Sequence, residues 1–133
     1  MKRYAKLFLT SAVIFLVIDL LWLAVISRQL YVDQLGGLMG ETRIIPAAIF
    51  YVLFMTGLLF FVIVPALNKN KLSYAILVGG FFGLICYGTY DLTNLATLEN
   101  WPVVITVLDL IWGTFINAAT AGLVFWIAKR RQW

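Results

Sequence analysis

Four runs of apolar residues, at about 7–26, 44–66, 72–98 and 102–128, fill most of the chain and leave only short polar stretches between them. Each is near the length of about 20 residues that a helix needs to cross a hydrocarbon layer of about 30 Å. Inside such a layer the backbone has no water to bond to, so each run must satisfy its own N–H and C=O groups as a helix. The chain therefore reads as an all-α integral membrane protein, a four-transmembrane-helix bundle forming one domain over residues 1–133. Composition agrees, with 63% hydrophobic and 12% charged residues against roughly 45–50% and about 25% in soluble domains. The surplus apolar surface requires membrane lipids as its solvent.

The ends of the runs give an orientation. Lys2, Arg3 and Lys6 precede the first run, Lys69 and Lys71 lie between the second and third, and Lys129, Arg130 and Arg131 close the fourth; only Arg28 and Arg43 lie between the first and second. Basic residues mark the cytoplasmic side, so both termini are expected there. The net charge of +4 is thereby explained as a topology signal. Without a basic face or a stacking platform, nucleic acid is not an expected partner. The first run is read as a membrane anchor and not a cleaved signal, because it is long, carries Asp19 and Trp22, and is followed by three more spans.

Between the first two spans, Arg28, Asp33, Glu41 and Arg43 make the chain polar and Gly36, Gly37 and Gly40 loosen it, while Leu30, Tyr31, Leu35 and Leu38 would lay part of the loop on the membrane interface. Span two holds no charge, and its polar groups are Tyr51 and Thr56. It is expected to serve packing and lipid contact. The short Asn68–Lys71 turn makes spans two and three antiparallel neighbours. Span three, about 40 Å long if helical throughout, must tilt, bend or emerge; Gly79 and Gly83 have the spacing that lets two helix backbones approach, here within one subunit. At the start of span four, Asn100 or a neighbour is expected to cap the helix and Pro102 to occupy its first turn. Trp101, Trp133, Tyr4 and Tyr74 are expected to anchor the bundle at the interfaces.

Carboxylates inside the apolar runs carry the chemistry. Asp19, Asp91 and Asp109 each fall eight or nine residues from a marker of the loop side (Arg28, Glu99 and Trp101), or about 12 Å along a helix. Burying an ionised carboxylate costs several kcal/mol unless it is paired, hydrated or protonated, so one shared polar cavity is a more economical arrangement than three separate burials. By this count Asp19 and Asp109 lie deeper and cost more to bury than Asp91, which stands close to the boundary. Convergence would make the site a receptor for a proton or a cation, with Arg28 and Arg43 as the nearest fixed counter-charges. Tyr87 and Asn94 share a helical face with Asp91; Tyr90, Thr93 and Thr97 are further polar neighbours. Trp22 and Trp112 each follow a carboxylate by three residues, where an indole can wall the cavity or donate its N–H. The candidate ligand- or ion-binding set is thus Asp19, Asp91, Asp109, Tyr87, Asn94, Trp22 and Trp112. No resident metal or cofactor is expected: the chain has no His, and its single cysteine, Cys86, sits in an apolar run where it reads as a small packing residue.

The segment Tyr87-Gly88-Thr89-Tyr90-Asp91-Leu92-Thr93-Asn94-Leu95-Ala96-Thr97, followed by Trp101-Pro102 and Asp109-Leu110-Ile111-Trp112-Gly113-Thr114, resembles a family of small bacterial membrane proteins defined as a domain of unknown function. The resemblance covers the whole chain and implies a four-span protein of the bacterial inner membrane. It brings no activity or catalytic residue with it. A looser similarity is to small multidrug transporters, which have four spans and an acidic residue in the first, as Asp19 is here; Asp91, Asp109 and the long first loop depart from that pattern.

Three classes of function follow. In the first, the carboxylate-lined pocket binds or transports a proton, a cation or a small amphiphile, and transport by only four spans calls for a homodimer. The second is a membrane-embedded enzyme acting on a lipid or isoprenoid, with one Asp as general acid and another as base. In the third, an accessory or structural membrane protein, the carboxylates only hold helices together.

Overall fold

The computed structural model of the protein describes residues 2–26, 28–37 and 43–133. Leu38, Gly40 and Glu41, and the side chains of Arg28 and Tyr31, lie outside the described residues. Helix α1 (Lys2–Leu21) runs into a wide π-helical turn (Trp22–Ile26), and the short helix α2 (Arg28–Leu35) follows. Helix α3 (Ile44–Leu58), a second π-helical turn (Leu59–Ile63) and α4 (Val64–Lys69) form one continuous rod. Helices α5 (Leu72–Thr97) and α6 (Val103–Arg130) complete the chain. Four of the helical runs, Lys2–Ala24, Ile44–Lys69, Leu72–Thr97 and Val103–Arg130, are long and apolar enough to cross a membrane.

The bundle wears its apolar side chains outward. Ile44, Phe60 and Leu77 are each exposed by 70% or more, while Ser11, Asp91, Thr106, Asn117 and Thr120 are buried. That inversion is stable only where the surrounding solvent is hydrocarbon.

The helical rods differ from the expected spans mostly at their ends. α1 begins at Lys2, so its basic residues lie within the helix and not before it. After α4, Asn70 takes the left-handed conformation (φ 54°) and the chain reverses, with Lys71 N–H bonded to the Ala66 carbonyl at 3.1 Å. The second reversal places Asn100 at φ 62°. Asn100 therefore shapes the turn and does not cap α6; Pro102 stands at the cap position itself, with extended backbone angles and no side-chain cap bond. Trp101, expected as an interface anchor, is buried and donates from Nε1 to Thr106 Oγ1 at 3.0 Å.

The Lys6 ammonium lies 5.8 Å from the centre of the Trp133 ring, which brings the two chain termini to one end of the bundle. The opposite end carries α2 and the turn before α6; these are called the terminal end and the loop end below.

α5 and α6 form the closest pair, for a reason visible in their small residues. A Cβ added at Gly83 would stand 2.2 Å from the Gly113 carbonyl oxygen, and one at Gly79 would stand 3.0 Å from that of Asn117. Only hydrogen at these positions permits so near a backbone approach. α1 packs on the other side of α6.

The rod made by α3 and α4 meets α5 through Leu59–Ile63 and α4, at the terminal end; α3 itself scarcely approaches α5. The π-helical turn within this rod has a local cause, since Pro65 has no N–H for the carbonyl of Phe61. Leu7, Met55, Leu58, Val62, Ile63 and Val124 close the terminal end as a dry core. Above it Phe54 bridges the diverging helices, with ring centres 5.5 Å from both Phe15 and Phe82 and 6.4 Å from Tyr87. Beside it the Tyr51 hydroxyl donates to the Ala12 carbonyl. The bundle is sealed below Phe54 and open above it.

Candidate functional site

Above the Phe54 seal lies a cavity of about 600 Å³ between α1, α3, α5 and α6, lined by Asp19, Asp91 and Asp109, by the aromatic residues Trp22, Phe50, Tyr87, Tyr90 and Trp112, and by Leu23, Cys86 and Thr89. All three intramembrane carboxylates thus reach a single space, and no Lys or Arg among the described residues lines it.

The carboxyl groups do not meet at one point. Asp91 is fully buried and faces the Asp109 carboxyl across the α5–α6 contact, within hydrogen-bonding range. Apart from that neighbour, neither oxygen of Asp91 has a hydrogen-bond partner among the described residues. Asp19 stands apart from the pair on α1, near enough to Asp109 for their charges to repel. It is held by Trp112, whose Nε1 donates to Asp19 Oδ1 at 3.2 Å. Among the described residues no group of three His, Cys, Asp or Glu side chains is arranged to hold a metal ion.

Burial reverses the order expected from counting along the helices. Asp91 has no exposed surface, whereas Asp19 and Asp109 are partly exposed. Asp91 reaches the cavity from within the tight α5–α6 seam, where the neighbouring helix covers it, and Asp19 and Asp109 are less covered.

The indoles are placed by the same geometry. Trp22 and Trp112 stack with ring centres 4.5 Å apart and planes within 10°. Because α1 and α6 run in opposite directions, Trp22 is displaced from Asp19 toward the loop end and Trp112 from Asp109 toward the terminal end, and the two rings meet between the helices. The π-helical turn begins at Trp22 itself, and such turns recur at functional sites in helices. Tyr87 lies flat against α6, where a Cβ on Gly113 would be 2.3 Å from its ring; Gly113 is the recess that lets this ring line the cavity.

Asn94, the remaining member of the expected set, does not line the cavity. It sits nearly a turn further toward the loop end, beside Tyr90. Span two, expected to serve packing and lipid contact, supplies Phe50 to the wall. Cys86 also lines the cavity, although its apolar surroundings made it look like packing alone. Thr106, Asn117 and Thr120, on or near the Asp109 face of α6, are buried outside the cavity lining.

The family model described as "Predicted membrane protein (DUF2177)" matches residues 4–126. The chain belongs to this family. The match takes in most or all of each of the four spans and every residue of the cavity wall. No curated protein and no solved structure matches the chain.

Proposed function

We propose that this protein is a small multispan carrier or receptor whose intramembrane cavity binds a proton and exchanges it for a cationic ligand. The observation that supports this reading is the fully buried Asp91 carboxyl facing Asp109 across the α5–α6 contact, in a cavity that a third carboxylate also lines. Two facing carboxyls in a medium of low dielectric constant favour a proton shared between them. Asp19, partly exposed and oriented by Trp112, adds attraction for a cation entering the cavity. By the positive-inside rule the basic residues at the terminal end support cytoplasmic termini in a bacterial cell, an orientation that would turn the cavity toward the outer half of the inner membrane.

The seal at Phe54 makes this the outward-open arrangement of any transport cycle. Inward release would require the α3–α5 divergence to move from the loop end to the terminal end, with a homodimer as the assembly that supports the motion.

The test uses purified protein in lightly buffered detergent solution, titrated with tetraphenylphosphonium while pH is recorded. Saturable binding with proton release, abolished in an Asp91→Asn/Asp109→Asn variant that stays folded by circular dichroism, is the expected result. Binding of tetraphenylphosphonium that the double variant retains removes the carboxylate pair from the mechanism.

The same pair favours a second reading, a membrane-embedded acid–base enzyme acting on a lipid or isoprenoid, because its two carboxyls differ in burial and so in readiness to give up a proton. Lipid profiles of a deletion strain and an Asp91→Asn strain should then share an accumulated substrate. Unchanged profiles in both would end this reading.

A further inference from the structure

Charge is sorted between the two ends of the bundle. Of the ten Lys and Arg residues, all but Arg28 and Arg43 belong to the start of α1, the reversal from α4 to α5, or the end of α6, which together form the terminal end. None of the six acidic residues belongs to these segments. The eight cations there have no carboxylate side chain within their own end to pair with, and among the described residues none of them makes an ion pair.

Aromatic rings hold several of these cations in place without neutralising them. The Lys6 ammonium lies 5.8 Å from the centre of the Trp133 ring, that of Lys69 5.5 Å from Tyr74, and the Arg130 guanidinium 5.4 Å from Trp126. Trp and Tyr rings of membrane helices sit at the boundary between hydrocarbon and headgroups, so the cations they hold stand at the level of lipid phosphates.

The start of α1 has the most specific arrangement. Lys2 and Lys6 are exposed and four residues apart, close enough on one helical face to repel each other. The same face continues down the helix through Leu9, Val13 and Leu16, all exposed and all apolar. Beside it stands Arg3, the one cation of the eight that is not exposed. Its Nε is covered by protein and has no acceptor among the described residues. A covered N–H left without an acceptor is costly, and the guanidinium fork matches the oxygens of a phosphate two at a time.

We propose that the start of α1, with Trp133, is a binding site for an anionic phospholipid. The lipid phosphate sits over Lys2 and Lys6, where the Arg3 fork turns outward to meet it, and an acyl chain runs along Leu9, Val13 and Leu16. A soluble acidic partner would leave that apolar stripe unused, and a zwitterionic lipid would bring a cation of its own into the cluster. The site is separate from the cavity and stands independently of the cation-binding reading.

The experiment titrates the purified full chain in detergent with palmitoyl-oleoyl phosphatidylglycerol and follows the lipid-bound species by native mass spectrometry, with the phosphatidylcholine of the same chains as comparison. Saturable binding of phosphatidylglycerol is expected, at least about tenfold tighter than that of phosphatidylcholine. Arg3→Gln and Lys6→Gln should each weaken it by about fivefold or more. Arg43→Gln, which removes the same charge from the loop end, should leave it within about twofold. Lys6 is exposed, so its variant carries the test even where Arg3→Gln fails to fold by circular dichroism.

Equal affinity for the two lipids would overturn the requirement for an anionic head. A loss in Arg43→Gln as large as in the α1 variants would show a response to total charge and overturn the site. Displacement of the lipid by inorganic phosphate at similar concentration would remove the apolar stripe from the recognition, and displacement by an oligoglutamate peptide would assign the surface to a soluble acidic partner instead.

Discussion

The Trp112 indole donates to Asp19 across the α1–α6 contact at 3.2 Å while its ring is stacked on Trp22. One side chain thereby fixes a carboxylate and closes a wall of the cavity. The two roles are separable. Trp112→Phe keeps an aromatic ring against Trp22 and removes the donor, leaving the partly buried Asp19 oxygen without this bond. A loss of about 1–3 kcal/mol in unfolding free energy is expected. In the Asp19→Asn background the same substitution should cost less than this, because a neutral amide loses less with the bond, and a double-mutant cycle by denaturant titration in detergent measures the difference. Additive effects would show that the bond is not formed in the folded protein.

The α5–α6 seam predicts a graded glycine series. A Cβ at Gly83 would meet the backbone oxygen of Gly113 at 2.2 Å, and one at Gly113 would enter the Tyr87 ring, whereas one at Gly88 would sit at 3.5 Å from the nearest side-chain atoms of Leu92 and Leu110. Gly83→Ala and Gly113→Ala should each destabilise by about 1–3 kcal/mol or more, as overpacking does. Gly88→Ala should be neutral or slightly stabilising through its helix preference. Thermal unfolding followed by circular dichroism ranks the three; a tolerated Gly83→Ala would contradict the backbone approach.

Asp91→Asn separates stability from function. The substitution preserves shape while removing one of two facing carboxyls from a fully buried position. Relief of that electrostatic cost should leave stability unchanged or raise it by about 1 kcal/mol, as for polar groups that function retains against stability. Cation binding should fall by about tenfold or more. A large loss of stability with binding intact would identify Asp91 as a structural hydrogen-bonding group and nothing else.

The four spans were legible in the sequence because the length of an apolar run is itself the physical requirement for crossing a bilayer, and the helical runs seen match those runs to within a few residues except at the basic start of α1. That Asp19, Asp91 and Asp109 line one cavity was legible because a carboxylate in hydrocarbon demands company. Their relative burial was not. Counting residues gives depth along an axis, while burial of Asp91 depends on the rotation of α5 against α6, set by Gly79, Gly83 and Gly113 at the seam. Phe50 was hidden for a related reason: span two is apolar on every side, so periodicity cannot separate its cavity face from its lipid face. The wide turn at Trp22–Ile26 carries neither Pro nor Gly, and nothing local in the sequence announces it. Asn94 shares a helical face with Asp91 yet stands nearly a turn beyond the cavity lining, a separation that helical periodicity does not resolve.

Cys86 provides a reporter that needs no engineered site. It is the sole cysteine of the chain and lines the cavity in a half-buried position, on the α5 wall one turn below Tyr90. A small neutral maleimide entering from the lipid should therefore label it, and Cys86→Ser should abolish labelling. A cation seated in the cavity beside the carboxylates would obstruct the approach to this thiol. Tetraphenylphosphonium is thus expected to slow labelling in a saturable manner in the wild-type protein and to have no such effect in Asp91→Asn/Asp109→Asn, where the thiol is still present. Mass spectrometry of the intact protein at successive times gives both rates. Labelling that proceeds unchanged at saturating tetraphenylphosphonium would place the bound cation outside the cavity, whatever its affinity.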